Sequence, residues 1–267
     1  MLNRVDPTPS PTLQAVDAKG QDFGTYYLAA FSDTRDLQQS LLAYRFVRDL
    51  VRIIILMDRF YEVGNERYRK LGEAIIQRLG KENDENLKHS LSFSLKQFWP
   101  FWKFEQYTKK QMIHGHNFSF EEIRSYNLFK SSDAALIYAP LLERILPSFG
   151  RNASLIIHYN QALQDIEDDL DDIHEDLRDQ MPNVFVLATL EKNATAGTFP
   201  KLYKHRLNGS KSVIVDSAID TVLRLVDEHT RSISGIQVPE QFEFLKYLSR
   251  RYAAAIRRKL AMTRLRT

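Results

Sequence analysis

QDIEDDLDDIHEDLRD, residues 164–179, is the stretch on which the reading of this chain turns. Nine of the fifteen residues from Asp165 to Asp179 are acidic, and Arg178 is the only Lys or Arg among them. Leu155, Ile156, Leu163, Ile166, Leu170, Ile173 and Leu177 carry a helical period through the run. One long helix over roughly residues 152–180 follows. At about 100° per residue, Asp165, Asp168, Asp169, Asp172 and Asp176 fall within an arc of about 100°, beside the stripe of Ile166, Leu170, Ile173 and Leu177. Like charges at i,i+4 destabilise a helix, and Asp is a poor helix former. A solvated acidic face normally interleaves Lys or Arg, and this one does not. Two readings stand: a solvated face, or a face whose repulsion a polyvalent cation offsets. Rows of hard carboxylate oxygens suit Mg²⁺ or Mn²⁺.

Composition bounds the remaining choices. The 267 residues are 43% hydrophobic and 27% charged, which is ordinary for a globular chain. A net charge of +3 does not mark a nucleic-acid binder. The absence of Cys removes disulfides, zinc–thiolate centres and thiol nucleophiles. No apolar run approaches the ~20 residues needed to span a bilayer. The polar, Pro-rich N-terminus carries no signal-peptide pattern, so a cytoplasmic location is expected.

Residues 1–24, with Pro7, Pro9, Pro11, Gly20 and Gly24, read as a flexible leader. Residues 25–267 read as one all-α domain. Helices are expected over roughly 33–63, 65–80, 84–113, 133–146, 152–180, 183–194, 211–233 and 240–263. The third should bend at Pro100 within the aromatic cluster Phe98, Trp99, Phe101, Trp102 and Phe104. Ser119 with Glu122 forms a capping box that opens another helix. No alternating run makes a strand.

Asp58 is the second anchor. Tyr44, Val47, Val51 and Ile54 precede it on one face, so its carboxylate points toward the core and needs a partner. That partner is either a cation shared with Glu62 one turn on, or a core arginine, Arg48 or Arg52. Arg67, Arg69 and Lys70 follow on the next segment, as an anion site requires. His114-Gly115-His116 reads as a helix-ending turn. Asp171 with His174 has the carboxylate-x-x-His spacing of di-iron bundles, but only one such pair exists. The C-terminal RRYAAAIRRKLAMTRLRT is basic and amphipathic, suited to an anionic membrane surface or to a diphosphate.

Together the two acidic helices resemble the class I isoprenoid synthase family of trans-prenyl diphosphate synthases and terpene cyclases. DIEDDLDD (165–172) is similar to the family's second aspartate-rich motif, FQIxDDxxD. Asp168, Asp169 and Asp172 fall on its aspartates, and Asp165 stands where Gln is usual. Pro182-Asn183-Val184-Phe185-Val186-Leu187 resembles the segment after that motif, and Lys130-Ser131-Ser132 resembles a Lys-Thr element. Met57-Asp58-Arg59-Phe60-Tyr61-Glu62 stands where the first DDxxD belongs, with Arg59 replacing its second aspartate. Arg67 is spaced as the first diphosphate-binding Arg. Arg251-Tyr252 is similar to the Arg-Tyr pair of bacterial terpene synthases. The Gly-Lys after the second motif is missing.

The resemblance implies an isoprenoid synthase bundle with an active-site cavity between helices. It implies a Mg²⁺-dependent terpene synthase (Mn²⁺ as substitute) that ionises an allylic isoprenoid diphosphate and cyclises or rearranges the cation. A trans-prenyltransferase, or a non-catalytic binding member of the same fold, is the alternative. Asp58, Glu62, Asp165, Asp168, Asp169, Asp172 and Asp176 would face the metal, and Arg67, Lys130, Arg251 and Tyr252 the diphosphate. The expected partners are that diphosphate, an anionic membrane touched by the basic C-terminus, and a second copy of the chain in a homodimer.

Overall fold

In the computed structural model, residues 48–49, 51–57, 59–61, 64–82, 98–132, 150–193 and 211–264 are described. Among them helix is the only regular structure, in keeping with the all-α expectation. The chain divides into two compact units, Met1–Phe93 with Arg144–Leu146, and Ser94–Glu143 with Pro147–Thr267. The leader, Asp58, Glu62 and the helix expected over 133–146 lie outside the described residues.

In the first unit, residues 51–57 and 59–61 are helical, and Val51, Ile53, Ile54 and Leu56 are buried. Gly64 (φ +70°) ends this segment, donating its N–H to the Phe60 carbonyl at 2.7 Å. Glycine reaches that left-handed conformation without a Cβ clash. Helix α1 (Glu66–Glu82) then starts behind Asn65, whose Oδ1 accepts the Arg67 N–H at 3.0 Å. It runs through Gly80, where the sequence suggests a stop.

The second unit holds α2 (Phe98–Ile113), α3 (Phe120–Lys130), α4 (Gly150–Asp179), α5 (Val184–Asn193), α6 (Lys211–Gly235), a 3₁₀ turn (Glu240–Phe242) and α7 (Glu243–Arg264). Helix α2 is described from Phe98, with Pro100 as its third residue, and the bend expected there turns on residues before Phe98, which lie outside the described residues. Phe104 stacks against Tyr126 and meets Phe129 at 4.4 Å between ring centres, which joins α2 to α3. The Ser119–Glu122 capping box opens α3 as its sequence predicts.

Helix α4 is the axis of this unit, packed against α3, α5, α6 and α7. Ile156, Leu163, Ile166, Leu170, Ile173 and Leu177 form its buried stripe. Met181 N–H donates to the Asp176 carbonyl at 2.7 Å and Gln180 N–H to the Leu177 carbonyl at 3.2 Å. These two bonds are the Schellman pattern, with Gln180 at φ +56° in the position glycine usually fills. Pro182 then forbids continuation. Helix α5 is buried on all sides from Val184 to Leu190, which accounts for its unbroken apolar sequence.

Candidate functional site

The acids of α4 divide by face. Asp165 and Asp169 are buried, Asp176 is half-buried, and Asp168 and Asp172 are exposed. Lys130, the last residue of α3, donates from Nζ to Asp169 Oδ1 at 2.7 Å. The other oxygen, Oδ2, accepts the Val184 N–H at 2.7 Å. Asp169 therefore serves two elements at once, as counter-ion to α3 and as acceptor at the positive N-terminus of α5.

Asn183 completes that junction. Its Oδ1 accepts the Phe185 N–H at 2.9 Å, which makes it the N-cap of α5. Its Nδ2 donates to the Asp169 carbonyl and to Asp176 Oδ2, both at 2.7 Å. Burial, with the Asp169 charge added, pushes the Asp176 carboxyl up to about 7. Burial would lower the Lys130 ammonium, but the neighbouring carboxylates, Asp169 foremost, outweigh it and raise it well above its usual value.

Asp165 lies one turn earlier. Gln161 Nε2 donates to its Oδ1 at 2.9 Å, and Ser131 Oγ lies 2.5 Å from its Oδ2. Ser131 Oγ also lies 2.8 Å from the Asn127 carbonyl, yet a hydroxyl has one proton to give. The Ser131 hydroxyl therefore donates to one of these two oxygens at a time. Burial raises the Asp165 carboxyl above its usual value.

Helix α7 meets a different flank of α4. Lys259 Nζ bridges Glu167 and Asp171 at 2.7 Å each, and Gln164 Nε2 donates to the Tyr252 hydroxyl at 2.5 Å. At about 100° per residue, Gln164, Glu167 and Asp171 stand roughly 140–160° round the helix from Asp169. Asp168 and Asp172, one turn apart, occupy the arc between the two flanks. The second unit thus brings Lys130 together with Asp165 and Asp169, puts Tyr252 on the opposite flank, and leaves Arg251 exposed on α7.

In the first unit, Arg67 is exposed, and among the described residues only its backbone is engaged. Arg48 and Arg52, the arginines weighed as partners of Asp58, both reach Asp49 Oδ1, at 3.4 and 3.2 Å. Arg78 takes Asp49 Oδ2 at 2.7 Å. A buried carboxylate ringed by three guanidinium groups is the ion cluster of this segment.

Of the lesser candidates, His116 Nε2 pairs with Glu122 at 3.0 Å and His114 Nδ1 lies 2.6 Å from the Lys110 carbonyl, which ties both to helix ends. Among the described residues no three His, Cys, Asp or Glu side chains gather as a metal site. Ser131, Asn183, Gln161 and Lys259 enter the site without having been assigned a role from sequence. Ser131 stood in the Lys130-Ser131-Ser132 element, and Asn183 carried a signal of its own, an Asn directly before an apolar helix, as an N-cap requires. Comparison of the chain with protein-family models, curated proteins and solved structures finds no match in any of the three.

Proposed function

We propose that this protein is a Mg²⁺-dependent class I isoprenoid enzyme that ionises an allylic isoprenoid diphosphate, with cyclisation or rearrangement of the resulting cation. One observation carries the reading: exposed Asp168 and Asp172 lie on α4 between a flank holding Lys130 and a flank holding Tyr252. Sequence elements about forty and eighty residues from the acidic run thereby border one carboxylate pair. That juxtaposition supports the resemblance without depending on it.

The donor set fits the ion in kind, since Asp168 and Asp172 offer hard oxygens one turn apart and open to solvent. The other expected ligands, Asp58 and Glu62, lie outside the described residues. Bound at Asp168 and Asp172, Mg²⁺ would supply charge neutralisation to the leaving group. The chain's own groups do the rest. Lys130, held protonated by Asp169, presents fixed positive charge to the diphosphate as the C–O bond breaks and its electron pair departs with the leaving oxygen. The missing Gly-Lys and the Arg59 substitution favour a terpene synthase over a chain-elongating transferase.

Incubation with allylic diphosphates of several chain lengths and Mg²⁺ should release inorganic pyrophosphate. Absence of release with every chain length, with Mg²⁺ or Mn²⁺, overturns the proposal. A non-catalytic member of the fold is the second reading, favoured by the commitment of both Asp169 oxygens to protein donors. Joint stabilisation by Mg²⁺ and pyrophosphate in a melting assay is expected of the enzyme and not of that alternative.

A further inference from the structure

Helix α7 presents a basic face that the proposed chemistry does not use. Leu245, Ser249, Ala253, Ile256 and Leu260 are its buried side. Asn160, Gln164, Glu167 and Asp171 of α4 clamp it through Leu245 O, Tyr252 and Lys259. The outer side carries Arg250, Arg251, Arg257 and Arg258, all exposed. At about 100° per residue these four span an arc of roughly 120°. Arg257 pairs with Asp227 at 2.5 Å. Arg250, Arg251 and Arg258 have no acidic partner among the described residues. Within α7 itself the one acid on this face is Glu243, which sits at its first turn and is held by Lys246 at 2.8 Å.

Tyr247, at 54% exposure, lies within the arc, and Met262, at 56%, lies just beyond its Arg251 edge. Exposed Ala254 and Ala261 run along its midline, so a flat surface could approach the helix axis closely. We propose that this face docks the protein on an anionic phospholipid surface, with the helix lying in the plane of the headgroups. Guanidinium groups would take lipid phosphates, and Tyr247 and Met262 would enter the headgroup boundary. Apolar groups set among the arginines favour lipid over nucleic acid, which offers phosphate without an apolar layer beneath it. This docking is independent of the enzymatic reading.

Sedimentation of the whole chain with vesicles tests it. Phosphatidylcholine vesicles containing about 30% phosphatidylglycerol should bind the protein at about 0.1 M salt, and pure phosphatidylcholine at least about tenfold less. Each basic residue at such a surface is worth about fivefold in partition, so R250E/R258E should lose at least about 25-fold. R250K/R258K should stay within about threefold of the parent. Circular dichroism and melting report whether R250E/R258E folds. Should it not fold, R250Q/R258Q takes its place, with a loss of at least about tenfold expected. Equal binding to neutral and anionic vesicles, or binding that neither variant weakens, overturns the proposal. So does tighter binding to duplex DNA than to anionic vesicles, or a solution dimer that R250E/R258E dissociates.

Discussion

Replacing Lys130 by Met tests whether α3, α4 and α5 are joined through one charge pair. The Lys130 side chain is about one-third exposed, whereas that of Asp169 is 2% exposed, so the two partners are unequal. Removing the lysine leaves a buried carboxylate oxygen with no donor. Removing one partner of a buried pair typically costs about 3–5 kcal/mol. The retained Val184 N–H and the α5 N-terminus lower this, and we expect about 2–4 kcal/mol in the metal-free protein. For a chain of this size that is a melting-temperature drop of roughly 5–15 °C.

The compensating change should recover most of the loss. In K130M/D169N the amide oxygen can still accept the Val184 N–H, and no charge is stranded. The double variant should lie within about 1 kcal/mol of the parent, with a coupling of at least about 1.5 kcal/mol between the sites. The sign with pH follows from the raised lysine: its contribution is present below its unfolded value and is lost as pH rises through the higher folded one. The K130M deficit should therefore hold through neutral pH and shrink only in strong alkali. Urea titrations of the four proteins give the cycle. A K130M cost below about 0.5 kcal/mol, or strict additivity, would refute the reasoning.

Three further outcomes are expected. Asp168→Asn and Asp172→Asn should each reduce pyrophosphate release by about 100-fold or more while moving stability by less than about 0.5 kcal/mol, because both are exposed; unchanged release in both would remove them from the metal site. Asp176→Asn should stabilise the metal-free protein by about 1–2 kcal/mol at pH 8 and hardly at all at pH 4, because a carboxyl raised to about 7 favours the fold while protonated and loses that contribution as pH climbs through 7. Denaturant midpoints across that range would show a flat difference if Asp176 were not perturbed. Gln180→Gly should raise stability by about 0.5–1 kcal/mol, since φ +56° strains a side-chain-bearing residue; a loss instead would place the value of Gln180 in contacts of its side chain.

The period of Leu163, Ile166, Leu170, Ile173 and Leu177 was enough to fix the long helix and its buried stripe, and the Ser119–Glu122 spacing was enough to start α3. Both are local signals, read within a few turns. The sorting of the acids was not local. Asp169 and Asp172 look alike in sequence, yet one is buried between α3 and α5 and the other is open to solvent. What separates them is a lysine 39 residues upstream and an amide 15 residues downstream, and periodicity contains neither contact. The end of this helix near residue 180 was legible, and α4 runs to Asp179; the Schellman turn that closes it was not, because glycine announces a left-handed position and glutamine does not.

An acidic run on a helix poses a question of compensation, and α4 answers it helix by helix. Lys130 from α3 meets Asp169, Lys259 from α7 bridges Glu167 and Asp171, and Arg178 takes Glu175 and Asp179. Asp165 and Asp176 sit among hydroxyl and amide donors in surroundings that favour their protonated forms. The bases absent from the run itself are thus supplied largely by its neighbours. A cation is not needed to hold this helix together. Asp168 and Asp172, one turn apart on α4, are both exposed. A metal bound at this exposed pair would act on chemistry far more than on stability. Chelator-treated protein should retain its melting temperature within about 2 °C while losing pyrophosphate release, and a large joint loss would place the metal among the buried acids instead.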